Sequence, residues 1–112
     1  MVSHVPARGD VVWLVFDPHA GHEEAGRRPV VVLSPLAYNG RVGLVLVCPI
    51  TRQVKGYPFE VPVPEGVGNL QGVILADQVK SLDWRVRQAS LIGHLPDSTI
   101  ERIVGLIRRL LS

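Results

Sequence analysis

Short apolar runs rich in valine and isoleucine recur along the chain, and this pattern constrains the fold more than any other feature. Nine prolines and eleven glycines separate the runs. β-Branched residues favour strands and Pro/Gly clusters favour turns, so the pattern predicts an all-β barrel or sandwich. We expect strands at residues 11–16, 30–33, 43–48, 59–63, 72–76 and 89–95.

Several of these runs are apolar at consecutive positions, which predicts strands that are covered on both faces. In a chain of 112 residues, such coverage requires a tight barrel, a packed helix or a partner subunit. We therefore expect one domain over residues 1–112 and a homodimer. The segment 34–41 is predicted to be a loop, because Pro35, Asn39 and Gly40 are turn formers.

The C-terminal segment has the periodicity of an amphipathic helix. Ser98 and Glu101 have the spacing of a capping box, and Pro96 marks the turn before it. Apolar residues then recur every three or four positions, which predicts a helix packed on the barrel. This stripe consists of Ile100, Ile103, Val104, Ile107, Leu110 and Leu111.

Composition and charge limit the functional classes only broadly. The single cysteine, Cys48, excludes an internal disulfide, and no apolar stretch reaches the roughly 18 residues of a membrane span. With no signal peptide pattern at the N-terminus, we expect a cytoplasmic protein. The net charge is +2, and residues 78–112 contain six Lys/Arg against three acids. That excess suits either a polyanion partner or a solvated helix face, and the arginines of the helix favour the second.

Metal and serine chemistry lack support in the sequence. The four histidines have no helical i, i+4 pairing and Cys48 has no cysteine partner, so we predict no metal site and no cofactor. The chain also has no G-x-S-x-G nucleophile elbow and no glycine-rich phosphate loop before a helix.

A carboxylate, a guanidinium and a hydroxyl remain on three polar segments, at Glu23, Arg28 and Thr51. RNA can be cleaved without metal because its own 2′-hydroxyl is the nucleophile, and the protein need only accept a proton, stabilise charge and fix geometry. Arginine suits bidentate phosphate contacts. From residue types alone, a surface salt bridge of Arg28 with Glu23 or Glu24 and a turn at Thr51 explain these residues better.

Several motifs together resemble the MazF/PemK toxins. They are, in order, Gly9-Asp10 before the first strand, GHEEAGRRPVVVLSP at 21–35, CPIT at 48–51, GYPFEV at 56–61 and ADQVKSLDWR at 76–85. The resemblance covers nearly the whole chain and is strongest to the MazF branch. It implies a mainly β, SH3-like small barrel of the CcdB/MazF/Kid type with a C-terminal helix, assembled as a homodimer with RNA lying along the interface.

The same resemblance implies a type II toxin-antitoxin endoribonuclease that needs no metal. Its substrate would be single-stranded RNA (mRNA), cut at a short, ACA-like motif to leave 2′,3′-cyclic phosphate and 5′-hydroxyl ends. A MazE-like antitoxin would fill the RNA groove, and operator DNA would be contacted only through that antitoxin.

Carried onto this chain, the resemblance makes Arg28 and Thr51 the main catalytic pair and Glu23 a loop acid needed for activity. A guanidinium is a poor base, so we assign charge stabilisation to Arg28 and proton removal to Glu23 or a bound water. Arg52 adds positive charge beside the groove, where relatives often have small residues. The predicted RNA contacts are His22, Arg52, Gln53, Lys55, Asp77, Gln78 and Lys80.

Two alternatives share this fold. One is a CcdB-like toxin that inhibits a protein target such as gyrase, and the other is an RNA-binding barrel without catalysis. A binder of either kind has no need of the Arg28 and Thr51 pair, so substitution of Arg28 separates both from a nuclease.

Overall fold

Seven β-strands and two α-helices form the part of the chain that the computed structural model describes, residues 4–16 and 26–112. In chain order they are β1 (Asp10–Val15), β2 (Arg27–Val32), α1 (Leu36–Val42), β3 (Leu44–Thr51), β4 (Glu60–Pro62), β5 (Val73–Leu75), β6 (Lys80–Asp83), β7 (Ser90–His94) and α2 (Asp97–Leu110). No helix within these residues is long and apolar enough to cross a membrane.

The strands are antiparallel and follow the order β4-β5-β3-β2-β1-β7, with β6 also paired to β3. The long strand β3 holds the sheet together, because its first half pairs with β6 through Val45 and its last residues pair with β5 through Ile50. One strand thus belongs to both parts of a strongly curved sheet. The expected mainly β, small-barrel fold with a C-terminal helix is confirmed.

Both faces of the central strands are buried, as the consecutive apolar residues predicted. Val11 and Val31 lie in one core cluster, which Ile103 of α2 completes. Their neighbours Val12 and Val30 point the other way, into a second cluster that contains Trp84. Each fully buried side chain of this kind contributes about 1.5–3 kcal/mol of transfer free energy. Strands β1, β2 and β3 contribute side chains to both clusters, which lie on opposite faces of the sheet.

All six predicted strands overlap observed ones, but β6 was missed and two strand boundaries differ from the prediction by three residues. Strand β2 begins at Arg27 and β3 continues to Thr51, beyond the apolar part of each run. Strand β6 has the polar sequence KSLD and is mostly exposed. Its side chains show no burial pattern, because the backbone ladder with β3 defines the strand.

The predicted loop at 34–41 is wrong, since α1 occupies most of it. Pro35 precedes the helix in an extended conformation, while Asn39 and Gly40 lie inside it. Asn39 is fully buried. Its side-chain amide donates a hydrogen bond to the Pro6 carbonyl at 2.7 Å. The backbone carbonyl of Asn39 accepts a hydrogen bond from the Trp84 indole N–H at 2.9 Å. This asparagine serves tertiary packing rather than a turn, which composition does not reveal.

The predicted capping box is also wrong. Helix α2 begins at Asp97, one residue before Ser98, and no side chain caps it. The carbonyl of Pro96 accepts the N–H groups of Thr99 and Ile100 at 3.0 and 3.2 Å, so the backbone makes the first turn unaided.

The far end of the helical stripe is not buried in the described chain. Ile100 and Ile103 are in the core as expected, but Leu110 and Leu111 are 50% and 81% exposed. The C-terminal end of the helix therefore exposes apolar side chains together with Arg108 and Arg109.

Candidate active site

The ends of β2 and β3 bring Arg28 and Thr51 to the same place. The two strands are antiparallel, with Val30 paired to Pro49. Extending this register by two residues to the strand ends sets Arg28 opposite Thr51. Residues directly opposite each other in an antiparallel pair point to the same face of the sheet.

A cleft of about 390 Å³ opens at these strand ends. Arginines supply most of its charge, and apolar side chains form part of its wall. It is lined by Trp13, Arg27, Arg28, Pro29, Ile50, Thr51, Arg52, Leu70 and Gln71. The guanidinium and the hydroxyl that the sequence assigned to one phosphodiester therefore belong to one cleft.

The Thr51 hydroxyl has a defined orientation. Its Oγ1 accepts the backbone N–H of Gln53 at 3.1 Å. A threonine hydroxyl has one proton to donate in addition to its acceptor capacity, so this bond leaves the proton available for a bound anion. The turn that was the simpler explanation for Thr51 is present, and its hydrogen bond restrains the orientation of the hydroxyl.

Two lining residues, Trp13 and Arg27, were missed as site residues. The guanidinium of Arg27 lies 4.5 Å from the centre of the Trp13 ring, a cation–π contact that restrains both side chains. The Arg27 carbonyl accepts a hydrogen bond from the Arg28 guanidinium at 3.2 Å. Trp13 and Arg27 belong to the motifs GDVVW and GRRP, but only the pairing of β1 with β2 brings them together.

A second cleft of about 210 Å³ has Thr51 in its lining as well, so the two clefts adjoin at this residue, and together they are called the groove. It is lined by Thr51, Gln53, Lys55, Tyr57, Glu60, Leu75 and Gln78. The structure thus gathers three predicted RNA contacts, Gln53, Lys55 and Gln78, and places Arg52 in the first cleft. Tyr57 and Glu60 are further lining residues that the sequence reasoning missed.

The other predicted contacts differ in position. Asp77 is exposed and accepts a hydrogen bond from the Tyr57 hydroxyl at 2.9 Å, which raises the pKa of Tyr57. Lys80 is exposed on β6 opposite Val47 and lines neither cleft. His22 and Glu23 lie outside the described residues.

Two further observations concern the free cysteine and possible metal-binding side chains. Burial, with a smaller effect of the Asp77 charge, raises the pKa of the Cys48 thiol to about 12, so this cysteine is no nucleophile at neutral pH. Within residues 4–16 and 26–112, no group of three or more His, Cys, Asp and Glu side chains is placed to hold a metal ion.

Comparison with known proteins identifies the family. The sequence profile of PemK-like, MazF-like toxins of type II toxin-antitoxin systems matches residues 7–111. The chain belongs to this PemK/MazF family. It is 49% identical to the endoribonuclease toxin MazF of Escherichia coli K12 over 112 residues, 99% of each chain.

Solved PemK/MazF structures agree with this assignment. The crystal structure of MazF from Deinococcus radiodurans matches with a TM-score of 0.85 at 49% identity, covering 97% of this chain and 98% of that one. A MazE-MazF structure from the same organism matches with a TM-score of 0.86 at 45% identity, covering 97% of each chain. The family resemblance stated from the motifs is confirmed.

Proposed function

We propose that this PemK/MazF chain cleaves single-stranded RNA at a short, ACA-like motif without a metal ion. The predicted class, an endoribonuclease toxin of a type II toxin-antitoxin system, is confirmed by the full-length similarity to E. coli MazF. The observation that supports the proposed chemistry is the shared cleft of Arg28 and Thr51.

The proposed chemistry uses Arg28 and Thr51 of this cleft, together with Glu23, whose role the family resemblance implies. The substrate's 2′-oxygen forms a bond to phosphorus while the bond from phosphorus to the 5′-oxygen breaks. Glu23 or a bound water accepts the 2′-hydroxyl proton, and the 5′-oxygen takes up a proton as it leaves. Arg28 stabilises the charge on the phosphorus oxygens, and the Thr51 hydroxyl donates a hydrogen bond to one of them. The products are a 2′,3′-cyclic phosphate and a 5′-hydroxyl.

The RNA nucleotides on either side of the scissile phosphate occupy the groove formed by the two adjoining clefts. Arg52 contacts the backbone phosphates beside the catalytic pair, because exposed arginines favour phosphate contacts. Gln53 and Gln78 offer amide donors and acceptors to base edges. The remaining proposed RNA contacts are His22, Lys55, Asp77 and Lys80.

The chain acts as one toxin domain over residues 1–112, in a cytoplasmic homodimer with RNA along the interface. Apolar side chains without cover on the described chain support an interface between subunits, since large exposed apolar patches commonly mark such contacts. Among the described residues they are Leu36, Tyr38, Val42, Leu46, Val54, Val79, Val86, Leu91, Leu110 and Leu111. A MazE-like antitoxin fills the groove and alone contacts operator DNA. A partner of this kind is supported by the similarity to the D. radiodurans MazE-MazF structure.

Incubation of the purified protein with a single-stranded RNA in excess EDTA tests this proposal. We expect cleavage at a few recurrent short sites, and end mapping should find 2′,3′-cyclic phosphate and 5′-hydroxyl groups. RNA that stays intact at stoichiometric protein, or that carries 5′-phosphate ends, would contradict the proposal.

A further inference from the structure

The loop between β3 and β4 has little packing of its own. Residues 52–56 are all exposed, and two of them, Gln53 and Lys55, line the second cleft. Exposed segments with few buried contacts sample many conformations. Something outside these five residues must therefore keep the two side chains at the groove.

Glu60, the first residue of β4, contacts this loop directly. Its carboxylate accepts the backbone N–H of Lys55 at 2.8 Å through Oε2 and that of Gly56 at 2.9 Å through Oε1. Gly56 has a φ of +84°, a left-handed conformation that glycine adopts without strain. At the other end of the loop, Thr51 Oγ1 accepts the Gln53 N–H. A side-chain acceptor fixes the loop at each end.

A carboxylate at this position requires an explanation, because Glu60 is only 9% exposed. Burial of an ionised group is costly unless it is paired or hydrogen-bonded. The ion pairs found among the described residues do not include Glu60. Two backbone N–H groups offset the cost instead, and both carboxylate oxygens are used. A glutamine has only one acceptor oxygen, so its NH₂ group would face the second N–H.

We propose that Glu60 is a positioning residue for RNA binding, acting through the backbone of the loop to hold Gln53 and Lys55 at the groove. The inference rests on the proposed ribonuclease function and names a residue that does not itself contact the scissile phosphate. Glu60 belongs to the GYPFEV motif, in which nothing distinguishes it from the other residues of the predicted strand 59–63.

The test compares Glu60→Gln with Glu65→Gln, which makes the same change at an exposed glutamate outside both clefts. We expect Glu60→Gln to raise KM for RNA about tenfold, the scale of one lost charge-assisted hydrogen bond. The kcat should stay close to that of the wild type, because Arg28 and the Thr51 hydroxyl are unchanged. The control should match the wild type in both constants.

A positioning role also predicts non-additivity. In a Gln53→Ala/Lys55→Ala background, adding Glu60→Gln should have little further effect on KM, because the contacts that it positions are already absent. A full tenfold effect in that background, or a wild-type KM for Glu60→Gln alone, would overturn the proposal. A purely structural role would lower the melting temperature without this dependence on Gln53 and Lys55.

Amide exchange in the wild-type protein gives a measurement that does not depend on the variant folding. The N–H groups of Lys55 and Gly56 should exchange at least about tenfold slower than in an unstructured peptide, as hydrogen-bonded amides do. Exchange at the unstructured rate would overturn the inference while leaving the ribonuclease proposal intact. Conversely, protected amides in a wild-type protein that leaves RNA intact would reject the ribonuclease proposal, and the positioning role with it.

Discussion

The two ends of the β1–β2 ladder both contain charged residues. At one end a carboxylate is hydrogen-bonded within the fold, and at the other end arginines line an open cleft. At the start of β1, the Asp10 carboxylate is buried and receives hydrogen bonds from the Ala7 N–H at 2.9 Å and from His4 and His94 at 3.1 Å. The buried carboxylate therefore has hydrogen-bond partners on both of its oxygens. We refer to this cluster of Asp10, Ala7, His4 and His94 as the Asp10 corner.

The other end of the ladder, where Arg27 pairs with Val15, opens into the cleft that contains Arg28 and Thr51. The described residues that line this cleft include Arg27, Arg28 and Arg52 but no acid. An anion bound there would contact several guanidinium groups, whereas the Asp10 carboxylate accepts its hydrogen bonds from groups of the fold itself. The contrast suggests that the Asp10 corner serves stability and the cleft serves a ligand.

The largest expected effect is the loss of catalysis in Arg28→Ala. Removing a group that stabilises transition-state charge typically costs about 10²–10³ in kcat. We expect a loss of this size with nearly unchanged melting temperature, measured by single-turnover cleavage of RNA. Arg41→Ala, which removes an exposed arginine from the last turn of α1, is the matched control. If the two variants cleave RNA equally well, the assignment of catalysis to the cleft end of the ladder is wrong.

At the Asp10 corner, the expected effect is on folding. Asp10→Ala leaves the Ala7 N–H without its acceptor and should lower the free energy of unfolding by about 1–3 kcal/mol in urea denaturation. Asp83→Ala, at an exposed aspartate, should lower it less. The kcat/KM of folded Asp10→Ala should equal that of the wild type. A selective loss of cleavage at full folding would show that this corner takes part in function.

A smaller effect is expected in the acid dependence of stability. Burial alone would raise the pKa of Asp10, but the hydrogen bonds from Ala7, His4 and His94 outweigh it and hold the pKa below its ordinary value of 3.8. The ionised carboxylate therefore stabilises the fold above pH 3.8, and this contribution is lost as the pH falls through the lowered pKa. Acid denaturation of Asp10→Asn should lack this component. Identical acid curves for the variant and the wild type would contradict this account.

Much of the scaffold could be predicted because burial leaves a direct mark on sequence. The consecutive valines at 11–12 and 30–32 indicated strands with two buried faces, and the periodic isoleucines of α2 indicated its packed side. The failures have a common cause in tertiary contacts. Asn39 has the residue type of a turn former, yet buried hydrogen bonds hold it in a helix. Strand β6 is set by its ladder with β3 rather than by its own side chains.

The site divides in the same way. Arg28 and Thr51 could be predicted as site residues because each belongs to a short motif of the PemK/MazF family. Trp13, Arg27 and Tyr57 were missed, since their place at the groove depends on strand register and loop geometry. Glu60 was missed for a related reason, because its partners are backbone N–H groups, which leave no pattern in the sequence.

The central claim is that Arg28 and Thr51 act on one phosphodiester, and a double-mutant cycle tests it most directly. Single-turnover cleavage rates would be measured for Arg28→Ala, Thr51→Val and the double variant. Groups that stabilise the same transition state are coupled, so the double variant should lose less activity than the product of the two single losses. Losses that multiply fully would show that the two residues act independently and would contradict the account.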